Sequence, residues 1–427
     1  GARDVRPLMR RAEIEAMLQP AELLEIRQTL LSCRTLRYLL LRLEAEYPLL
    51  AEKALDMQPL SEIIDEIGRC LDEDGAVLDS ASPELARIRH DLVVARDRVV
   101  DRLRGIISAE RNAPYLQEPI ITERNGRYVI PVKAQFKNRI QGIVHDQSAS
   151  GATFFIEPLS TVELNNRWHE LRIAERHEVE RILLALTRLV GLEAETITTN
   201  VRVLAEIDLA LAKARYSIAL RGVAAERSEA RWPTAAVGAG VPASEHPVYL
   251  ARARHPLLPA DAVVAIDVHA GADFTVLLVT GPNTGGKTVA LKTVGLLAAM
   301  NQAGLHIPAM EGSRLPVFSG IYADIGDEQS IEQSLSTFSS HMSHIVDILR
   351  RADAQSLVLL DELGAGTDPV EGSALAQALI DAFVRRRSLV FSSTHYSQLK
   401  VYAFSTDWVQ NASVEFDVET LSPTYRL

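Results

Sequence analysis

Cysteine is almost missing from the chain: Cys33 and Cys70 are the two among 427 residues. That excludes a disulfide-built scaffold and leaves too few thiolates for a Cys-based zinc site. No apolar run reaches the roughly 18 residues a membrane helix needs, so neither a membrane span nor a membrane partner is expected. No secretory leader pattern is found, which makes a cytoplasmic location the default. Positive charge is not in surplus either: 45 Lys and Arg face 56 Asp and Glu, a net charge of −11. A uniformly basic nucleic-acid binder is thereby excluded, but a local basic patch is not. The first residue is Gly1 rather than Met, as expected of a processed or trimmed fragment.

What is present is ordinary globular material, 47% apolar and 24% charged, long enough for two to four domains. Residues 1–110 repeat Leu, Ile, Val and Ala at spacings of three and four, which predicts helix. Ser82-Pro83-Glu84 predicts the start of a long helix, with Ser as N-cap and Pro at the first position, running to about Glu110. Residues 111–160 change character. An Asn125-Gly126 turn precedes Tyr128-Val129-Ile130, and a small-residue turn precedes Thr153-Phe154-Phe155-Ile156, predicting a small β-rich insert. Helical spacing returns over 161–225. Residues 226–248 are small and turn-rich and read as a linker. From 249 to 427 strand, turn and helix alternate, an α/β signature. The expected fold class is thus mixed: an all-α part with a β-rich insert, then an α/β domain.

The strongest motif follows the strand-like run Phe274–Thr280. Gly281, Pro282, Asn283, Thr284, Gly285, Gly286, Lys287 and Thr288 form G-x-x-x-x-G-K-T, and Val289 onward is helix-like. Strand, glycine loop and helix N-terminus are the setting this motif requires. Backbone N–H groups and the helix dipole favour phosphate oxygens. Lys287 is expected to reach the β/γ phosphates of ATP, and the Thr288 hydroxyl to ligate Mg²⁺. A second apolar run, Leu357–Leu360, ends in Asp361 and Glu362. Asp361 is expected to support Mg²⁺ and Glu362 to act as catalytic base toward water. A third run, Leu389–Thr394, ends in His395, expected to contact the γ-phosphate. Leu363–Asp368 and the hydroxyl-rich Leu335–His341 have no evident partner within one such pocket and suit a site closed by a second subunit. By residue type alone, Ser336-Thr337 also reads as a plain N-cap.

Taken together, these motifs resemble the MutS family: GPNTGGKT at 281–288, GDEQSIEQSLSTF at 326–338, DELGAGTDP at 361–369 and STHY at 393–396, with RHPLL at 254–258 upstream. RYVIPVK at 127–133 and IVHDQSASGATFFIEP at 143–158 are similar to its second bacterial branch, the anti-recombination branch without a mismatch-reading domain. The resemblance implies a helical core and lever (1–110 and 161–225), a clamp inserted at 111–160, and an ABC-type ATPase domain at 249–427 that pairs as a homodimer with composite sites. It implies ATP and Mg²⁺ as cofactors and Ser336 acting on the partner's nucleotide. Phe155-Ile156-Glu157 superficially matches the family's mismatch wedge but precedes Pro158 inside the insert, and is expected to be strand packing. Members of this branch usually carry a C-terminal Smr-type nuclease domain. The chain ends partway through the expected ATPase domain, so no nuclease activity is expected in these residues.

Residues 85–140 hold twelve Lys and Arg against six Asp and Glu, a local charge of +6. Such an arm and tip can track a phosphate backbone. The sparse aromatics disfavour stacking on single strands, which leaves duplex or branched DNA, or structured RNA. Two functions fit: an ATP-switched DNA clamp on recombination intermediates, or an ATPase acting on stalled or collided ribosomes through rRNA. A long-coiled-coil chromosome ATPase is disfavoured by Leu-Ser-Thr-Phe where a Gly-rich signature would stand.

Overall fold

The computed structural model describes residues 1–232, 241–281, 286–326, 334–417 and 422–425, without the side chains of 334–338, 340, 416–417 and 422–423. The fold is mixed α/β. Contacts divide it into two compact units, Gly1–Leu209 and Ala210–Leu427.

The first unit opens with helices α1 (Arg6–Glu13), α2 (Pro20–Arg42), α3 (Pro48–Leu55), α4 (Ser61–Cys70) and α5 (Pro83–Ile107). Proline stands first in α2, α3 and α5 and second in α1, where its missing N–H is harmless and its fixed φ already helical. Ser82 caps α5 by accepting the Leu85 N–H at 2.9 Å, and its hydroxyl donates to buried Glu178 at 2.6 Å. After α5 come four short strands: β1 (Thr122–Arg124), β2 (Arg127–Lys133), β3 (Gly142–Gln147) and β4 (Thr153–Pro158). They form one antiparallel sheet in the order β1-β2-β4-β3. The long helices α6 (Val162–Leu192) and α7 (Ala194–Leu220) follow, α7 running across the division between the units. One apolar core gathers α1, α2, α4, α6 and the start of α7. Another seats Ile130, Val132 and Ile156 of the sheet on Val99 and Leu103 of α5 and Trp168 and Leu171 of α6. Phe155-Ile156-Glu157 lies in β4. Glu157 is fully buried and takes Arg127 at 2.9 Å and His145 at 2.6 Å, and the Arg124 guanidinium lies 4.3 Å from the Phe155 ring centre.

The second unit holds two main sheets. β5 (Glu226–Ser228), β6 (Val248–Ala253), β7 (Ile266–Ala270) and β9 (Arg314–Pro316) form one, in the order β5-β9-β6-β7. The segment expected to be a linker therefore enters a sheet through β5. Beyond it Ala230 and Trp232 are buried, because Gly271 has no Cβ and leaves room for the Trp232 ring. The other sheet is parallel: β8 (Val276–Thr280), β10 (Ile321–Asp324), β11 (Leu357–Leu360), β12 (Leu389–Thr394) and β13 (Val409–Ser413), in the order β10-β11-β12-β8-β13. Helices α8 (Lys287–Gln302), α9 (Ser334–Arg351), α10 (Pro369–Arg386) and α11 (Ser397–Ser405) belong to the same unit, and a two-residue pair, β14 (Phe416–Asp417) with β15 (Ser422–Pro423), ends it. Every residue of β8, β11 and β12 is buried, as expected of strands covered on both faces. Among the described residues no helix is long and apolar enough to cross a membrane.

Candidate nucleotide site

The site gathers at the carboxyl ends of parallel strands, where open α/β sheets place ligands. β8 and β12 pair with Thr394 beside Thr280, and β11 and β12 pair with Leu360 beside Ser392. That register brings Gly281, Asp361, Glu362 and His395 to one sheet edge. Gly281 has φ +134°, and a Cβ there would collide with the Val414 side chain. Pro282, Asn283, Thr284 and Gly285 lie outside the described residues. Gly286 caps α8 in the left-handed region at φ +86° and, having no side chain, makes no cap hydrogen bond to the first N–H groups. Such a helix end is ready to bind an anion.

Lys287 is the first residue of α8 and only 2% exposed. Its ammonium donates to the Gly281 carbonyl at 2.6 Å and to His395 Nδ1 at 3.1 Å. An ammonium has no lone pair, so Nδ1 must accept and Nε2 carries the imidazole proton. That N–H donates to Glu362 Oε1 at 3.1 Å. Lysine, imidazole and carboxylate thus form a continuous line. Burial pushes the Lys287 pKa below its ordinary value, while Glu362 and Asp361 pull it back up. Thr288 follows, half-buried. Ser336 lies within α9, but its side chain is outside the described residues.

Asp361 and Glu362 turn sharply off β11, and Glu362 sits at φ +50°, a strained conformation for a residue with a Cβ. Ser393 holds both ends of the turn: its Oγ accepts the Glu362 N–H at 2.8 Å and donates to Asp361 Oδ1. The glycine loop behind them has an intrachain partner. Gly364, at φ +86°, packs so tightly on Gly372 of α10 that a Cβ on either would strike the other's carbonyl, and the Tyr396 hydroxyl donates to the Gly364 carbonyl at 2.8 Å.

Motif reading passes over Ser393 and Tyr396, although both stand in the quoted STHY run. It also misses an apolar cavity of about 300 Å³ beside Gly286, lined by His255, Val263, Val264, Val289, Thr293 and Tyr425 among others. Burial, reinforced by Lys292, lowers the His255 pKa and so favours a neutral ring. His255 stands in the RHPLL run, the one signal in the sequence for this wall.

Known proteins match in the same place. Residues 277–425 match the family model described as MutS domain V. Over the whole chain the sequence is 49% identical to Endonuclease MutS2 of Halalkalibacterium halodurans and 48% identical to Endonuclease MutS2 of Brevibacillus brevis, covering 53% of each. Endonuclease MutS2 of Geobacillus sp. is 49% identical with the same coverage. The chain spans about half the length of these curated relatives. Strand, glycine turn, buried lysine and paired carboxylates lie inside the matched residues, and the chain belongs to the MutS family, alongside its MutS2 members.

Proposed function

We propose that the chain is an ATP-dependent, DNA-associated ATPase that closes on branched or recombination-intermediate DNA and thereby suppresses recombination. The buried Lys287 ammonium supports this most directly, standing at the N-terminus of α8 within the electrostatic reach of the Asp361-Glu362 pair. A buried cation partnered by a carbonyl and an imidazole fits a phosphate that replaces one of them. ATP supplies the transferable γ-phosphoryl group and Mg²⁺ neutralises charge on it.

In this reading Lys287 binds phosphate oxygens, the Gly281–Gly286 loop wraps them, and the apolar cavity takes the base. Thr288 and Asp361 hold the metal. Glu362 orients water and accepts its proton, and His395, already bonded to both Lys287 and Glu362, senses whether phosphate lies between them. Ser336 caps the partner's nucleotide in a homodimer. No nuclease step is assigned to these residues.

The β-sheet between α5 and α6 acts as the clamp. Half of the basic residues of 85–140 support that role: among the described residues Arg98, Arg102, Arg111, Lys133, Lys137 and Arg139 form no ion pair, whereas Arg87, Arg89, Arg96, Arg104, Arg124 and Arg127 each do. Unpaired cations are the ones that can release phosphate counterions. The test is twofold. Lys287→Ala should abolish ATP binding, and retained wild-type hydrolysis would overturn the site. A crosslinking pull-down with Glu362→Gln should recover DNA; recovery of rRNA instead would move the target to stalled or collided ribosomes.

A further inference from the structure

Asp324 ends β10, the edge strand of the parallel sheet, and binds in two directions. Its carbonyl accepts the Asp361 N–H at 2.9 Å, extending the β10–β11 ladder by one bond beyond the Asp324–Leu360 pair. Its carboxylate, 7% exposed, turns toward α9. Oδ2 lies 3.0 Å from His341 Nδ1 and Oδ1 lies 2.9 Å from His344 Nδ1. Residues three apart share one helix face, so one carboxylate clasps a full turn of α9. Among the described residues no lysine or arginine pairs with Asp324, and a nearly buried carboxylate needs donors. Each imidazole therefore presents Nδ1–H inward, which turns its Nε2 away from Asp324. His341 and Asp324 also line, with Asp361, Glu362 and Gly364, a small cavity of about 80 Å³. One residue thus ties the strand end carrying the carboxylate pair to the helix that walls the space beside it.

We propose that Asp324, through His341 and His344, is a positioning residue that fixes α9 against Asp361 and Glu362, so that hydrolysis depends on the clasp while nucleotide binding does not. The inference rests on the reading that Asp361 and Glu362 serve ATP hydrolysis. Lys287 and the base cavity belong to α8 and the 255–266 segment, to which the clasp makes no hydrogen bond. Glu362, by contrast, shares the cavity with His341, and a displacement of about 1 Å at a catalytic group can lower a rate about a hundredfold.

The experiment uses the full chain and reads kcat and KM for ATP, together with direct binding of a fluorescent ATP analogue. The double variant His341→Ala/His344→Ala should lose about tenfold or more in kcat, with analogue binding held within about twofold. The pair His341→Asn/His344→Asn should recover most of kcat, because the Asn amide N–H stands where Nδ1–H stood. The Gln pair reaches the Nε2 position instead and should not recover it. A wild-type kcat in the Ala pair overturns the proposal. So does a parallel loss of kcat and analogue binding with no recovery in the Asn pair, because that pattern is mere packing. A wild-type chain that binds the analogue without hydrolysing ATP would overturn the underlying reading, a result distinct from either of these.

Discussion

His246 and His269 pack edge to face with ring centres 4.6 Å apart, and both rings approach Phe274. His246 is fully buried; its Nδ1 accepts the Ala272 N–H at 3.4 Å, and its Nε2 lies 3.4 Å from Asp273 Oδ1. Burial lowers the pKa of both below the ordinary 6.5, outweighing the Asp273 carboxylate, and the charge of His246 lowers His269 further. The folded state therefore binds fewer protons than the unfolded chain. The stability from keeping both rings neutral is fully present above pH 6.5 and is lost as pH falls through the lowered folded values. The urea midpoint of the second unit should drop between pH 7.5 and 5.5. His269→Phe, which keeps a ring and removes one titration, should flatten that drop. A midpoint independent of pH over this range would refute the assignment.

At the scale of elements, some boundaries could be read directly. Ser82-Pro83 starts α5 because cap and fixed φ are local chemistry, and the helix ends at Ile107 rather than near Glu110. The strand β8 and the start of α8 on either side of the G-x-x-x-x-G-K-T run were legible for the same reason, since apolar run, glycines and helix-like residues follow each other in sequence. Ser393 and Asp324 were not, because each acts across strand neighbours far apart in the chain and only the register of β10, β11 and β12 brings them to Asp361. The three-residue strands β5 and β9 are too short to show any periodicity. By sequence alone Leu363–Asp368 suits a site closed by a second subunit; the packing of Gly364 on Gly372 and Tyr396 within the chain is not legible there. That contact sets two opposed effects at Gly372→Ala. Ala gains about 1 kcal/mol of helix propensity over Gly. Overpacking against the Gly364 carbonyl and Tyr396 hydroxyl costs about 1–3 kcal/mol. The collision should win, because one of its atoms is backbone, so the variant should unfold at lower urea and hydrolyse ATP more slowly. A variant more stable than wild type would show that the loop shifts freely.

At the scale of the whole molecule, each unit carries its own apolar core: helical cores and the sheet-bearing core in residues 1–209, and a core on each face of the parallel sheet in residues 210–427. Units with separate cores can unfold separately. The proposed nucleotide residues all lie in the second. A ligand stabilises what binds it by RT ln(1 + [L]/Kd), about 2.7 kcal/mol at a hundredfold excess over Kd. Calorimetry with a non-hydrolysable ATP analogue and Mg²⁺ should therefore raise one thermal transition by several degrees and leave the other nearly in place. Lys287→Ala should remove the shift without moving either transition of the ligand-free protein by more than a few degrees, because among the described residues the ammonium it removes is partnered by a carbonyl and an imidazole and by no carboxylate. A four-way DNA junction should act on the opposite transition through Arg98, Arg102 and their neighbours, with an effect that fades as salt rises. If analogue and junction each raised the same transition, nucleotide and DNA would share one unit, and the division of labour proposed between the sheet edge at Lys287 and the basic residues of 85–140 would fail.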